Sequence, residues 1–354
     1  MRTARRTTAA LLLGSLALAG PSAVLAGADW PQFRGSNGDA RATDFKAPAA
    51  WPKELPAKWK TAVGEGVATP ALVGDKLYVF ARENGNEVTR CLDLATGKEL
   101  WQDKYAAAGA TGPAASWSGP RASPAVADGK VVTLGLHGML SCLDAATGKK
   151  LWRKDDFGGA TPRFQTAASP LVSDGTVIAQ LGGDRQGGVV AYDLASGEKK
   201  WAWTGEGPDY ASPALMTVGG TKLVVAETSR SIVVLTAADG KLVWQTAFAP
   251  GGPPDYNAAS PVVDGQTLIY GSNRRGTKAV RIEKDGDKFT AKELWTNPDK
   301  AVHFVTPVVK DGMIYGLTQG NELFCLDAKT GQSVWTQSLG GGGAGGPGGG
   351  GPGG

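Results

Sequence analysis

The feature that most constrains the fold is a phrase that recurs six times and ends in tryptophan. Each copy begins with Ser-Pro or Thr-Pro, and successive copies, from Thr69 to Thr306, start 54, 46, 43, 48 and 46 residues apart. The six closing tryptophans are Trp101, Trp152, Trp201, Trp244, Trp295 and Trp335. A period in this range is typical of solenoids, propellers and arrays that stack one repeated unit.

Each copy contains the signals of four short β-strands. The proline suits the start of a strand, where no ladder donor is needed, and a pair such as Asp128-Gly129 then predicts a tight hairpin. Two further β-rich runs follow, and the last break is usually Asp-x-x-Thr-Gly, with its glycine four residues before the tryptophan. We expect that glycine to take a left-handed conformation and the aspartate to accept hydrogen bonds from turn amides.

Four strands leave no room for a helix, and one such sheet cannot bury both of its faces. Radial stacking around an axis solves this problem and leaves only short edges. The sequence therefore predicts an all-β propeller of six complete four-stranded antiparallel blades, with each tryptophan wedged between neighbouring blades.

The two ends differ from the repeat region. Residues 1–28 carry Arg2, Arg5 and Arg6 before an apolar stretch and small residues, which predicts a cleaved signal peptide, with a membrane anchor as the alternative and the export route left open. Residues 29–58 form an N-terminal extension, residues 59–339 the propeller, and residues 340–354, which are only Gly, Ala and Pro, a disordered tail.

Charge and cysteine content exclude some classes of function. Three of the four excess positive charges of the chain are arginines within residues 1–28, and no basic stripe that would bind nucleic acid remains. Cys91, Cys142 and Cys325 each lie ten residues before a tryptophan, so they occupy one position in three copies. We expect three small buried apolar side chains that are too far apart to form a disulfide.

The repeat over residues 59 to 335 resembles the PQQ-like, quinoprotein-type propeller repeat with its tryptophan-docking motif. The resemblance rests on the successive motifs Ser-Pro-x-Val, Asp-Gly and Asp-Ala-x-Thr-Gly-x-x-x-Trp. The motif Asp29-Trp-Pro-Gln-Phe-Arg-Gly35 is similar to the start of exported members in planctomycete-type bacteria. The resemblance implies a ring of seven or eight blades. It also points to two kinds of relative, the quinoprotein alcohol dehydrogenases and the B subunit of the outer-membrane β-barrel assembly machinery.

Trp59, in Leu55-Pro-Ala-Lys-Trp-Lys, lies before the first complete copy. By this resemblance it belongs to the orphan outer strand of an incomplete seventh blade. The alternatives are a closed six-bladed ring with Trp59 packed elsewhere, and an open ring that folds poorly.

The resemblance leaves an enzyme and a scaffold as the two functional hypotheses. A PQQ-dependent dehydrogenase needs a planar cofactor on an aromatic ring, a Ca²⁺ ion held by carboxylate and amide oxygens, and a carboxylate base. The chain has no Cys-Cys pair, no Cys-x-x-Cys-His and no histidine pattern for a metal. We therefore expect no catalytic residues, no metal and no cofactor, with PQQ and Ca²⁺ only under the dehydrogenase alternative.

The expected function is an exported scaffold, periplasmic or extracellular, that binds a protein or an envelope component as a monomer. It would bind no nucleic acid and would not stay in the membrane after signal cleavage, and similarity to the assembly-machinery subunit points to outer-membrane protein assembly. In a propeller, the loops before each first strand converge on one mouth of the channel. The candidate binding residues in these loops are Arg121, Arg163, Gln165, Asp209, Tyr210, Asp255, Tyr256, Asn257 and His303.

Overall fold

The computed structural model describes residues 29–42, 45–184, 186–250 and 255–340. The predicted signal peptide and residues 341–354 of the predicted tail lie outside these ranges. The described residues form six four-stranded antiparallel sheets and one short 3-10 helix, Gly112–Ala114. The prediction of an all-β propeller with six blades is confirmed. Within the same ranges, no helix has the length and apolarity needed to span a membrane.

The strands follow one another in simple order, so that each blade is a meander. Blade 1 contains β1 (Ala71–Val73), β2 (Lys76–Glu83), β3 (Asn86–Asp93) and β4 (Glu99–Ala106), and blade 2 contains β5 (Ala125–Ala127), β6 (Lys130–Leu134), β7 (Leu140–Asp144) and β8 (Lys150–Lys154). Blade 3 contains β9 (Leu171–Ser173), β10 (Thr176–Gly183), β11 (Gln186–Asp193) and β12 (Lys199–Trp203), and blade 4 contains β13 (Ala214–Val218), β14 (Thr221–Glu227), β15 (Ser231–Thr236) and β16 (Leu242–Ala247). Blade 5 contains β17 (Val262–Asp264), β18 (Thr267–Ser272), β19 (Gly276–Asp285) and β20 (Lys288–Asn297), and blade 6 contains β21 (Val308–Lys310), β22 (Met313–Leu317), β23 (Glu322–Asp327) and β24 (Ser333–Ser338).

The turns have the chemistry that their residues predict. Asp128 and Gly129 both have positive φ, at 48° and 68°, as the tight hairpin between β5 and β6 requires. In the outer turn of blade 2, Asp144 Oδ1 accepts hydrogen bonds from the amide and hydroxyl of Thr147, at 2.8 and 2.7 Å. These local contacts explain why the same short phrases recur in successive blades.

A cross-strand row ends in tryptophan in every blade. In blade 2 the row runs Ala125–Val132–Cys142–Trp152, with each residue opposite the next on the neighbouring strand. The cysteines are therefore direct neighbours of the docking tryptophans. Cys91, Cys142 and Cys325 are buried and free, and burial raises the pKa of Cys91 to about 11 and that of Cys142 to about 12.

Each docked tryptophan lies on a glycine of the following blade. The Trp152 indole donates from Nε1 to the Leu194 carbonyl at 3.0 Å, and a Cβ on Gly197 would lie 2.7 Å from its ring. The equivalent glycines lie under Trp59, Trp101, Trp201 and Trp295. The glycine is therefore required for two reasons, its positive φ of 72° and the close approach of the indole.

Two tryptophans depart from the expected wedge. Trp244 packs against the apolar cluster between blades 4 and 5, where the outer hairpin of blade 5 lacks the Asp-x-x-Thr-Gly turn and runs on as long strands. Trp335 lies on no glycine of the described chain and is 41% exposed. Trp59 does dock, on Gly97, but residues 55–60 around it pair with no strand among the described residues.

Five buried apolar clusters hold the ring together, one between each pair of consecutive blades from 1–2 to 5–6. The described residues contain no sixth cluster of this kind between blade 6 and blade 1. Since stability in repeat proteins is mainly a sum of neighbour interfaces, this edge is the weakest point of the ring.

The Ser/Thr-Pro residues make a second connection between blades, near the axis. Each proline lies directly before the first strand of its blade. The side-chain hydroxyl of the Ser or Thr before it accepts a hydrogen bond from the backbone amide of the equivalent Ser one blade earlier. The four links, from Ser123 to Ser169, Ser169 to Ser212, Ser212 to Ser260 and Ser260 to Thr306, measure 2.8 to 2.9 Å. This chain of hydroxyls ties blades 2 to 6 around the channel.

Candidate binding site at the channel mouth

The loops before the first strands enclose a cavity of about 570 Å³ on the ring axis. One position lines it in every blade, two residues before the Ser/Thr-Pro pair. The six residues at this position are Val67, Arg121, Ala167, Tyr210, Ala258 and Phe304. The hydroxyl residues of blades 3 to 6 lie next to them in the wall. Because the position is fixed relative to the repeat, counting back from each Ser/Thr-Pro could have found all six, whereas only Arg121 and Tyr210 were predicted.

An aromatic cluster forms one side of the cavity. The Tyr210 and Tyr256 ring centroids lie 5.1 Å apart, and Phe164 lies 5.9 and 5.3 Å from them. Tyr256 also contacts Phe304 at 5.7 Å, and Phe304 packs on His303 at 3.9 Å. Edge and tilted packing of this kind stabilises aromatic groups beyond simple burial. The cluster joins blades 3, 4, 5 and 6 into one continuous surface.

Arg121 is the one charged side chain among the described residues that line the cavity. Its guanidinium donates to the Phe164 carbonyl at 2.5 Å and to the Trp117 carbonyl at 3.0 Å. Burial lowers its pKa, but an arginine stays protonated at neutral pH. Arg121 therefore gives an apolar cavity a fixed positive charge and holds the loops of blades 2 and 3 together.

Asp209 and Asn257 support the wall of the cavity from behind rather than facing into it. Asp209 Oδ2 accepts the Asn257 amide at 2.6 Å, and the Asn257 side chain donates to the Phe248 carbonyl at 2.9 Å. Burial raises the pKa of Asp209 to about 7. These contacts fix the loop that carries Tyr210, whose hydroxyl accepts the Phe164 amide at 3.0 Å.

The remaining predicted residues also lie outside the lining, with the exception of Tyr256. Arg163 lies over the Phe164 ring at 5.3 Å, and Gln165 is buried with a positive φ of 62°. Asp255 accepts a hydrogen bond from the Asn273 side chain, and the buried His303 has its pKa lowered by desolvation. The position of a residue in a loop does not reveal whether its side chain points toward the channel axis or away from it.

The floor of the cavity comes from the N-terminal extension, which sequence reasoning did not place in the site. Phe33 lines the mouth cavity and also a second cavity of about 240 Å³ that residues of blades 3 to 5 line. Residues 30–38 thus divide the central channel, and we call them the septum. In the sequence these residues stand out only by the motif of residues 29–35, and that motif does not indicate where they lie in the fold.

Contacts with several blades hold the septum in place. Trp30 and Leu72 of blade 1 exchange two backbone hydrogen bonds at 2.8 and 2.9 Å. Pro31 accepts the Val126 amide of blade 2 at 2.7 Å. Arg34 donates to the Pro307 carbonyl of blade 6 at 2.8 Å. The septum therefore spans the ring and links blade 6 to blades 1 and 2.

The lining does not match the oxygen donors that a quinone-bound divalent cation needs. Its described residues include no carboxylate and no side-chain amide. Glu227 and Asn257 carry buried oxygens without a hydrogen-bond partner among the described residues, but neither lines the cavity. The described ranges also contain no group of three His, Cys, Asp or Glu residues that could hold a metal.

Comparison with known proteins gives relatives of both expected kinds. A quinohemoprotein alcohol dehydrogenase of Comamonas testosteroni is 25% identical over 70% of this chain, and outer membrane protein assembly factor BamB of Burkholderia pseudomallei is 26% identical over 78% of it. The chain spans 42% of the length of the first protein and 68% of the second. The crystal structure of BamB from Moraxella catarrhalis matches 78% of this chain and 73% of its own with a TM-score of 0.53 at 16% identity, which supports the fold.

The repeat, the blade topology and the family comparison agree. The family model described as outer membrane protein assembly factor BamB matches residues 84–337, which is most of the chain. The chain therefore belongs to this PQQ-like propeller family.

Proposed function

We propose that this protein is an exported, non-catalytic scaffold, periplasmic or extracellular, that binds a protein or envelope component at the channel mouth. The observation that carries the proposal is the mouth cavity. Every blade contributes the residue two positions before its Ser/Thr-Pro pair to the wall, and the septum supplies the floor. Trp117 and Phe304 are exposed by 52% and 59% at its rim, although large apolar side chains are usually buried. Tryptophan, tyrosine and arginine are the residues that most often dominate binding energy at protein interfaces.

The cavity suits the insertion of an apolar group from the partner. Its wall is mainly aromatic and aliphatic, and the hydrogen bonds of Arg121, Tyr210 and Asp209 hold that wall before any ligand arrives. A preformed site lowers the entropic cost of binding. The family description supports a role in outer-membrane protein assembly as the specific form of this function.

The second candidate is a PQQ-dependent dehydrogenase, which the alcohol dehydrogenase relative supports. The cavity is large enough for a flat ligand and offers aromatic rings for stacking. The part of the lining that the structure describes offers no carboxylate or side-chain amide for the cation and the base that this chemistry requires, which argues against it. The scaffold is therefore the better-supported proposal.

The experiment compares partner binding and cofactor binding in the same protein. A photo-crosslinking residue at position 304 should capture one envelope partner, and Trp117→Ala should reduce that capture at least ten-fold. Leu151→Ala is the matched control, because Leu151 is 41% exposed on the outer strand of blade 2 and does not line the mouth. Calorimetry and absorbance with PQQ and Ca²⁺ should detect no 1:1 complex. A tight complex with dye-linked alcohol oxidation would reject the scaffold in favour of the dehydrogenase.

A further inference from the structure

Blade 6 ends the ring with a face that is built like an internal docking surface. Its cross-strand row Val308–Tyr315–Cys325–Trp335 has the same register as the row Ala71–Tyr78–Cys91–Trp101 of blade 1. The aromatic pairs also share their geometry. The Tyr315 and Trp335 rings lie 6.2 Å apart at 48°, and the Tyr78 and Trp101 rings lie 5.9 Å apart at 48°.

The face of blade 1 identifies what such a surface binds. Blade 2 covers it with its outer turn, in which the Ala145 carbonyl accepts hydrogen bonds from Tyr78 Oη at 3.2 Å and Trp101 Nε1 at 3.1 Å. Gly148 of the same turn lies directly under the indole, where a Cβ would come within 2.5 Å of it. The turn therefore supplies one acceptor for two donors and a glycine that permits close stacking.

On blade 6 the same groups have no such cover. Tyr315 is 37% exposed, against 3% for Tyr78. Trp335 is 41% exposed, whereas Trp101 is partly buried and Trp152, Trp201 and Trp295 are 6 to 8% exposed. The Tyr315 hydroxyl interacts with the Cys325 thiol on its own blade, but no carbonyl of the described residues accepts a hydrogen bond from Tyr315 Oη or Trp335 Nε1 as Ala145 does on blade 1. Holding an aromatic pair in its docked arrangement before docking reduces the ordering cost of binding.

We propose that this face binds a β-hairpin from another protein whose turn has the sequence Asp-x-x-(Ser/Thr)-Gly. The occupant must place a carbonyl opposite both donors and a glycine under the indole, which is what blade 2 does for blade 1. The surface lies on the edge of the ring and is separate from the mouth cavity, so the inference does not depend on the proposed function.

A second copy of this chain is not the occupant, because it has no free turn to offer. All four of its turns of this type already lie under a tryptophan of the same chain, and so does the related turn of blade 4, in which Thr236 stands where the others have aspartate. The glycines of these turns are Gly97, Gly148, Gly197, Gly240 and Gly331. Even the first is filled, since Trp59 donates to the Leu94 carbonyl at 2.9 Å. The partner must therefore bring a turn of its own.

The test uses a cyclised peptide with the sequence of residues 140–152 and Cys142→Ser, titrated by calorimetry into the full chain. We expect saturable 1:1 binding that Trp335→Ala abolishes and Tyr315→Phe weakens about five-fold, the usual effect of one lost hydrogen bond. The same peptide with Gly148→Val should bind at least ten-fold more weakly. Leu151→Ala in the protein is the control for an exposed apolar side chain elsewhere and should leave binding unchanged.

A second measurement keeps the proposal testable if the free peptide is too weak to detect. Residues 123–152 are fused behind residue 354, which raises the effective concentration of the turn because it is then part of the same chain. Protection of Trp335 from oxidation, lost when the appended turn carries Gly148→Val, would support the proposal. Three results would overturn the proposal. They are failure of both probes, peptide binding that is unchanged by Trp335→Ala, and a dimer of this chain that Trp335→Ala dissociates.

Discussion

The contact between Trp152 and Gly197 allows the docking mechanism to be measured against a control in the same blade. Gly197 has a φ of 72° and lies under the indole, whereas Gly175 has a φ of 65° and open space where its Cβ would be. Alanine at either position pays the cost of a left-handed conformation, about 1–2 kcal/mol. Only Gly197→Ala also pushes against the indole.

The additional cost follows from what the indole loses. Trp152 is 6% exposed, and full burial of a tryptophan of about 200 Å² contributes roughly 5 kcal/mol at 25 cal/mol per Å². A shift that exposes about a third of the ring costs about 1.5 kcal/mol, and loss of its hydrogen bond to Leu194 costs about 1 kcal/mol. We therefore expect Gly197→Ala to destabilise the protein by about 4 kcal/mol and Gly175→Ala by about 1–2 kcal/mol.

Guanidinium chloride unfolding followed by far-UV circular dichroism measures both variants, with the denaturant slopes compared to test for a common unfolding transition. Hydrogen exchange at the interface of blades 2 and 3 shows whether the loss is local. If the two variants lose stability equally within about 0.5 kcal/mol, the glycine serves only its backbone conformation and the docking argument is wrong.

Three further predictions concern other parts of the ring. Arg34→Ala should lower stability by about 1.5–3 kcal/mol and increase hydrogen exchange in blade 6, because two backbone carbonyls there lose a charged donor, whereas Arg41→Ala, which breaks only a contact with Asp39, should have little effect. Asp209 keeps its proton up to about pH 7 in the folded protein but only up to about pH 4 in the unfolded chain. The free energy of unfolding should therefore fall as pH rises between these values. Unfolding measured across this pH range should show a smaller fall for Asp209→Asn. The three buried thiols should not react with a thiol reagent in the native protein within minutes but should all react in denaturant, and rapid native reaction would contradict their burial.

The blade itself could be predicted from the sequence because its determinants are local. A turn such as Asp144 to Gly148 is specified by residues within five positions, and strand order follows from short connections. The prediction missed the second reason for the glycine, because the indole that lies on Gly148 comes from a different blade.

The candidate site was predicted only in part. Arg121, Tyr210 and Tyr256 line the cavity as expected from their loops. Asp209 and Asn257 lie in the same loops but do not line the cavity, because Asp209 accepts the Asn257 backbone amide and the Asn257 side chain donates to the Phe248 carbonyl. Such choices depend on contacts between loops that are far apart in the chain.

The sequence by itself determined the number of blades, their four-strand meander and the tryptophan rows, because a repeat needs only local turn chemistry and the period of the phrase. The tertiary structure alone decided three features. It placed Phe33 as the floor of the channel, it put one residue of every blade around a common cavity, and it left Tyr315 and Trp335 exposed in a docked arrangement. The first two depend on the ring, which brings together residues that have no fixed spacing in the sequence, whereas the third arises because no turn of the described residues covers that face of blade 6.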